Sequence, residues 1–208
     1  MEIIFARHGN TFNPSDKVVW IGRETDLPLV KSGMEQALVV ADTLRRISLV
    51  PDVIYTASLI RTRRFAQIIS QALELISPII DSRLDELDYG KWAGRSNDEI
   101  IYDGGKRAED AINSWNVTDV WPKDSIWGSQ QTDIKNDIDD FVIEHLTRHQ
   151  RPLVISSNGI LRFLPRAILP PSMQQDSFKM HTGHLGIIDS EDNKVCLRFW
   201  NVDPKDLH

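Results

Sequence analysis

The chain has one cysteine in 208 residues, Cys196, which excludes an intrachain disulfide framework and a cysteine-rich zinc site and fits a reducing compartment. We expect Cys196 to be a buried strand residue. Positive charge is also scarce. With 24 Lys and Arg against 30 Asp and Glu, the formal charge is −6, so long-range steering does not favour nucleic acid or an anionic membrane. Any phosphate chemistry must then rest on a local basic cluster. No apolar stretch approaches the length needed to span a bilayer. The opening MEIIFARHG has an acid at position 2 and only a short apolar run, unlike a secretory signal. A cytoplasmic location is the default expectation.

What is present is ordinary globular material. The 41% hydrophobic and 26% charged fractions are far from the composition of disorder, and the length suits one domain over 1–208. Residues 2–6 (EIIFA) read as a buried strand ending at a polar, Gly-containing segment. Apolar spacing from Ser32 to Ile47 predicts a helix with Ser32 as N-cap. DVIYT at 52–56 is a second strand and 58–75 a second helix. A short run surrounds Ile79 and Ile80. Residues 95–130, polar and Trp-rich, read as a helical or irregular insertion that caps the sheet. A helix over 132–149, the strand PLVISS, a helix over 160–169, and two strands, HLGIIDS and VCLRFW, separated by the turn-like EDN complete the pattern. Alternating strands and helices indicate an α/β fold around a mostly parallel sheet.

In such sheets functional groups collect beyond the carboxyl ends of strands. Arg7 and His8 follow the first predicted strand, Ser58 to Arg61 the second, and Ser157, Asn158 and Gly159 a later one. A neutral imidazole can accept a phosphoryl group directly, Gly9 would let the backbone turn tightly beside it, and Arg7 and Arg61 offer planar forks for its oxygens. Glu86, a carboxylic acid in the loop between these segments, is the candidate proton donor to a leaving alkoxide. The insertion's tryptophans read as packing residues.

Four stretches, FARHGNT at 5–11, GRETDLPLVKSG at 22–33, SLIRT at 58–62 and LDELDYGKWAG at 84–94, resemble the histidine phosphatase superfamily, which includes phosphoglycerate mutases. The resemblance spans nearly the whole chain. It implies a three-layer α/β/α sandwich, phosphoglycerate mutase-like, with a phosphohistidine at His8, phosphate clamps at Arg7 and Arg61, and a proton donor at Glu86. No metal or organic cofactor is then required, although the mutase branch needs a phosphorylated primer. Asn13, Arg23, Gly159 and His184 are the expected substrate contacts.

One departure from the family pattern stands out. Where the family usually has a second histidine before glycine, this chain has Asn158, which keeps a donor but cannot become cationic. His181 or His184 in KMHTGHLG could restore the charge. The expected activity is hydrolysis of a small phosphorylated metabolite. A phosphoglycerate mutase is the second reading, disfavoured because 108–122 contains no Lys or Arg. A catalytically weak phosphate-binding or regulatory domain is the third.

Overall fold

A computed structural model describes residues 1–123, 127–191 and 194–208, with the backbone alone at Thr147. Six strands, β1 (Glu2–Arg7), β2 (Val53–Thr56), β3 (Ile79–Ile80), β4 (Pro152–Ser156), β5 (Leu185–Glu191) and β6 (Lys194–Val202), form one sheet in the order β3-β2-β4-β1-β5-β6. The first four in that order are parallel, and β5 and β6 add two antiparallel strands. The turn expected at EDN falls partly on residues 192–193, outside the described residues.

Strand periodicity divides β1 between two cores. Ile3 and Phe5 join one apolar cluster with Trp115, Ile138, Phe141 and Leu164, while Ile4 and Ala6 join another with Ala37, Leu44, Phe65 and Ile69. A sheet buried on both faces needs helices on both, which explains why its strands are apolar runs rather than alternating ones. Helices α1 (Lys31–Arg46) and α2 (Ile60–Ala72) cover one side. Helices α3 (Asn97–Thr118), α4 (Gln131–His145), α5 (Asn158–Leu161) and α6 (Leu164–Ile168) contribute to the other cluster. The three-layer α/β/α architecture follows.

Several local expectations are corrected. Val30, not Ser32, is the N-cap of α1, without a side-chain cap bond, and the Ser32 hydroxyl instead accepts from Asn10 Nδ2 at 3.3 Å. The helix expected over 160–169 is two short ones, α5 and α6, with a turn at 162–163. Cys196 is exposed: β6 is an edge strand, and Cys196 alternates with half-buried neighbours on its solvent side. The insertion is mainly α3, which starts with a capping box between Ser96 and Glu99 and breaks at Gly105, whose φ is 59°. Residues 124–126 of the insertion lie outside the described residues. No helix among the described residues is long and apolar enough to cross a membrane.

Candidate active site

Because β1 and β4 are parallel neighbours in register Arg7↔Ser156, the residues that follow them emerge side by side. The His8 amide continues the pairing by donating to Ser156 O at 3.1 Å. Asn158 opens α5 directly beyond β4, Arg61 lies in the first turn of α2 beyond β2, and Glu86 lies in the loop beyond β3. Arg7, His8, Arg61, Glu86 and Asn158 all line one cavity of about 1180 Å³.

His8 is 5% exposed, and its ring Nδ1 lies 2.8 Å from Gly9 O. A carbonyl only accepts, so Nδ1 carries the proton and Nε2 keeps its lone pair. Burial, then the charges of Arg7 and Arg61, hold the imidazole pKa well below 6.5, so the ring is neutral near neutral pH. Arg7 donates through Nη1 to Met180 O at 2.8 Å, and its buried Nε has no protein partner. Burial brings its pKa down to about 10, which leaves it cationic at pH 7. Arg61, 1% exposed, donates to Thr25 O at 3.0 Å and Gly22 O at 3.3 Å. Those carbonyls aim a guanidinium that burial would otherwise disfavour.

Four acids crowd the 81–88 loop, and bonding separates them. Asp81 pairs with Arg83, Asp85 accepts from Ser58 N and Oγ at 2.6 Å each, and Asp88 accepts from Gly90 N at 2.8 Å. Only Glu86 reaches the cavity, where Oε1 accepts from Leu87 N at 2.9 Å and Oε2 from Gly159 N at 3.2 Å. The buried Tyr89 hydroxyl also bonds to Glu86, and burial, reinforced by that carboxylate, pushes the phenol well above 10. The hydroxyl therefore keeps its proton and can donate it to Glu86 as a hydrogen bond.

Asn158 accepts through Oδ1 from Met180 N at 2.9 Å. A backbone N–H needs an acceptor, which assigns the oxygen to that side and leaves the Nδ2 amide as the donor end. Arg7 and Asn158 thus hang on the two sides of one residue, Met180.

Two glycines owe their identity to close approach. A Cβ at Gly9 would overlap Gly33 O, and one at Gly33 would overlap Asn10 O, so the loop after β1 and the start of α1 touch backbone to backbone. Gly9 is not among the residues with positive φ, so proximity, not the expected tight turn, accounts for it. At Gly159 a Cβ would overlap Glu86 Oε1 and lie 2.8 Å from the Tyr89 hydroxyl. Gly159→Ala is accordingly expected to displace the carboxylate, lowering kcat by about 100-fold, because misplacement of a reacting group by an ångström costs that much. Urea unfolding should also show about 1–3 kcal/mol of destabilisation from overpacking.

The other expected substrate contacts divide. Asn13 lines the cavity and donates from N and Nδ2 to Asp16 Oδ2. Gly159 acts through its N–H on Glu86. Arg23 does not line the cavity; it is exposed, and its Nε reaches Glu86 O at 3.4 Å. His184 faces a neighbouring cleft with Gln36 and Pro204, its Nδ1 donating to Asn201 O at 3.1 Å. His181 is exposed, its ring 5.1 Å from that of His184, and neither histidine lines the His8 cavity. Reading the residues one by one missed Tyr89, three residues beyond Glu86, and Lys179, which opens the KMHTGHLG loop; both line the cavity.

The remaining wall is apolar on one side, from Phe12, Val18, Val19, Trp20 and Ile21, and polar on the other, from Asn97, Asp98 and Asn116 of α3. Trp20 Nε1 donates to Asn97 Oδ1 at 2.8 Å, and Lys17 pairs with Glu99 at 2.6 Å, which ties the two walls together. Trp20 also joins Tyr89, Trp92, Trp115, Trp121 and Trp127 in one cluster of edge-to-face rings. Among the described residues, no three His, Cys, Asp or Glu side chains cluster as metal ligands.

A histidine and an asparagine from adjacent parallel strand ends, two buried guanidinia and one carboxyl make a site for an oxyanion beside a neutral imidazole. The chain belongs to the histidine phosphatase superfamily, branch 1, whose family model matches residues 3–203. It is 25% identical over 206 residues to the probable phosphoglycerate mutase GpmB of Escherichia coli, with 98% of this chain and 91% of that one covered. Its fold is similar to that of a putative alpha-ribazole-5'-P phosphatase from Escherichia coli, at TM-score 0.74 and 22% identity over 98% of each chain. It is also similar to a mycobacterial glucosyl-3-phosphoglycerate phosphatase in complex with VO3, at TM-score 0.75 and 21% identity, covering 96% of this chain and 98% of that one.

Proposed function

We propose that this chain is a phosphatase acting on a small phosphomonoester through a covalent phosphohistidine at His8. One observation carries the reading: His8 is neutral, with Nδ1–H fixed on Gly9 O and the Nε2 lone pair free, beside the guanidinia of Arg7 and Arg61. In the first step Nε2 attacks phosphorus, the N–P bond forms as the P–O bond to the alcohol breaks, and Glu86 gives its proton to the departing oxygen. In the second, water attacks phosphorus, the Glu86 carboxylate takes a proton from it, and the N–P bond breaks to release phosphate and free His8. Arg7, Arg61 and the Asn158 amide hold the phosphoryl oxygens, and positions 95–130 serve as the cap of a one-domain enzyme. Asn13 and Gly159 belong to the same machinery, Gly159 by way of Glu86, and Arg23 reaches it through the backbone of Glu86 and Leu87.

The phosphatase reading is preferred over a mutase because the cap helix α3 itself gives the cavity only uncharged or acidic polar groups (Asn97, Asp98, Asn116) and no cation of its own for a second anionic group. The apolar wall around Trp20 suits a carbon-rich leaving group. A non-catalytic phosphate-binding domain is the remaining alternative, since Asn158 brings no positive charge. Mixing the protein with an aryl phosphate and quenching in alkali, where phosphohistidine survives, should show phosphate on His8 by mass spectrometry. Turnover without a trapped adduct, or no turnover at all, would refute the proposal.

A further inference from the structure

We propose that Lys179 is a substrate-binding residue of this site, an ammonium that holds an oxyanion of the bound phosphomonoester where Asn158 supplies only a neutral amide. This inference rests on the phosphatase reading and names the cation that reading lacks. Lys179 lines the His8 cavity and directly precedes Met180, the residue that fixes both Arg7 and Asn158. Its backbone is anchored one residue earlier, where Phe178 N donates to Asp119 Oδ2 at 2.6 Å. Its Nζ donates to Asn116 Oδ1 on α3 at 3.0 Å.

What marks Lys179 is the missing counter-charge. Among the described residues it makes no ion pair; burial and the neighbouring charges of Arg162 and Arg7 all work against its ammonium form. Asp119, the acid that favours it, is already occupied by Arg162, Arg166, Ser177 and the Phe178 amide. A half-buried ammonium kept near guanidinia without a carboxylate is unfavourable until an anion arrives. Lys31, the other lysine on this cavity, differs: it is exposed and lies 3.9 Å from Glu35. Among the described residues the cavity therefore has one lysine without an ion pair, and it directly precedes the Met180 amide from which Asn158 accepts.

A purely structural role would be to tie the 177–180 segment to α3 through Asn116. Lys179→Gln separates the two roles, because its amide can still donate to Asn116 while the charge is gone. Binding of inorganic phosphate to the full-length protein, measured by calorimetry at pH 7, needs no turnover. Lys179→Gln should weaken it about tenfold or more, as loss of a charged hydrogen bond does, and Lys179→Arg should stay within about threefold of wild type. The same Gln variant should lower kcat/KM for an aryl phosphate in parallel. If Gln is poorly folded, as judged by its melting curve, Lys179→Met provides the second uncharged variant. Phosphate affinity unchanged in the uncharged variants, or no phosphate binding by the wild type, overturns the inference. Activity that persists in His8→Ala would instead overturn the covalent mechanism, so the two failures are distinguishable.

Discussion

Replacing His8 with alanine is expected to abolish phosphate release from an aryl phosphate, with kcat falling by about 10⁴-fold or more, the scale seen when a covalent nucleophile is deleted. No neighbour can take over. Arg7 and Arg61 lack a lone pair, and Glu86 is held by the amides of Leu87 and Gly159. His181 and His184 lie outside the cavity. His8→Asn is the companion variant, because its amide can still donate to Gly9 O and the site keeps its shape. Retention of more than about a hundredth of wild-type activity in either protein would rule out the nucleophile.

The same residue sets the acid side of the pH profile. Its imidazole pKa is depressed by burial and two cations, so Nε2 keeps its lone pair as the pH drops through 6.5, and the acid limb of kcat/KM should lie below that value. The stability consequence has a definite sign. An unfolded chain protonates His8 near 6.5 while the folded chain resists, so the unfolded state binds more protons there and stability declines as pH falls from 6.5 toward the folded value. His8→Ala removes that component. Comparing urea midpoints of the two proteins at pH 7.5 and pH 5.5 should show a smaller loss in the variant.

The largest effect on stability is expected from Asp119→Ala, about 3–5 kcal/mol, as for other broken buried ion pairs. The Asp119 side chain is 3% exposed and binds Arg162, itself 1% exposed. It also accepts from Arg166 Nη2 at 3.0 Å, Ser177 Oγ at 2.6 Å and Phe178 N at 2.6 Å. Arg162 lies over the Trp115 ring, 4.4 Å from its centre, and its Nε and Nη2 already lack hydrogen-bond partners. Without the carboxylate its charge would be buried and unopposed. Thermal melting should drop by roughly 6–20 °C for a chain of this size, and a shift under about 2 °C would show the pair to be dispensable. Residual activity should fall too, because the segment that leads to Met180 loses its anchor.

How much of this is legible in the sequence depends on whether a property is local. The apolar runs of β1, β2 and β4 and their polar ends are written in consecutive residues, so the sheet and the placement of His8 and Asn158 beyond strand ends could be read directly, with Arg7 proving to be the last residue of β1 rather than the first after it. The cap helix was harder to see because α3 breaks at Gly105, which interrupts the apolar period. Side-chain destinations were least accessible. Arg7 finds its carbonyl 173 residues away, and Lys179 meets Asn116 across 63. The two histidines expected near Asn158 turn toward Asn201, one through its backbone N–H and one through its ring. Cys196 illustrates the same limit: its strand was evident, but not that the strand would be the last in the sheet.

The contact between Gly9 and Gly33 is reinforced by Val30 N donating to Asn10 O at 3.0 Å, and so closes the intervening chain into a loop pinned at its neck. Within it, Gly22 and Thr25 serve Arg61, whereas Phe12, Pro14, Val18 and Val19 contribute apolar wall. That outer stretch is thus a replaceable part. Those apolar positions can change and reshape the cavity while the neck keeps His8 in place. Neither neck glycine has that freedom, because both are already the smallest residue and neither can be relieved by changing the other.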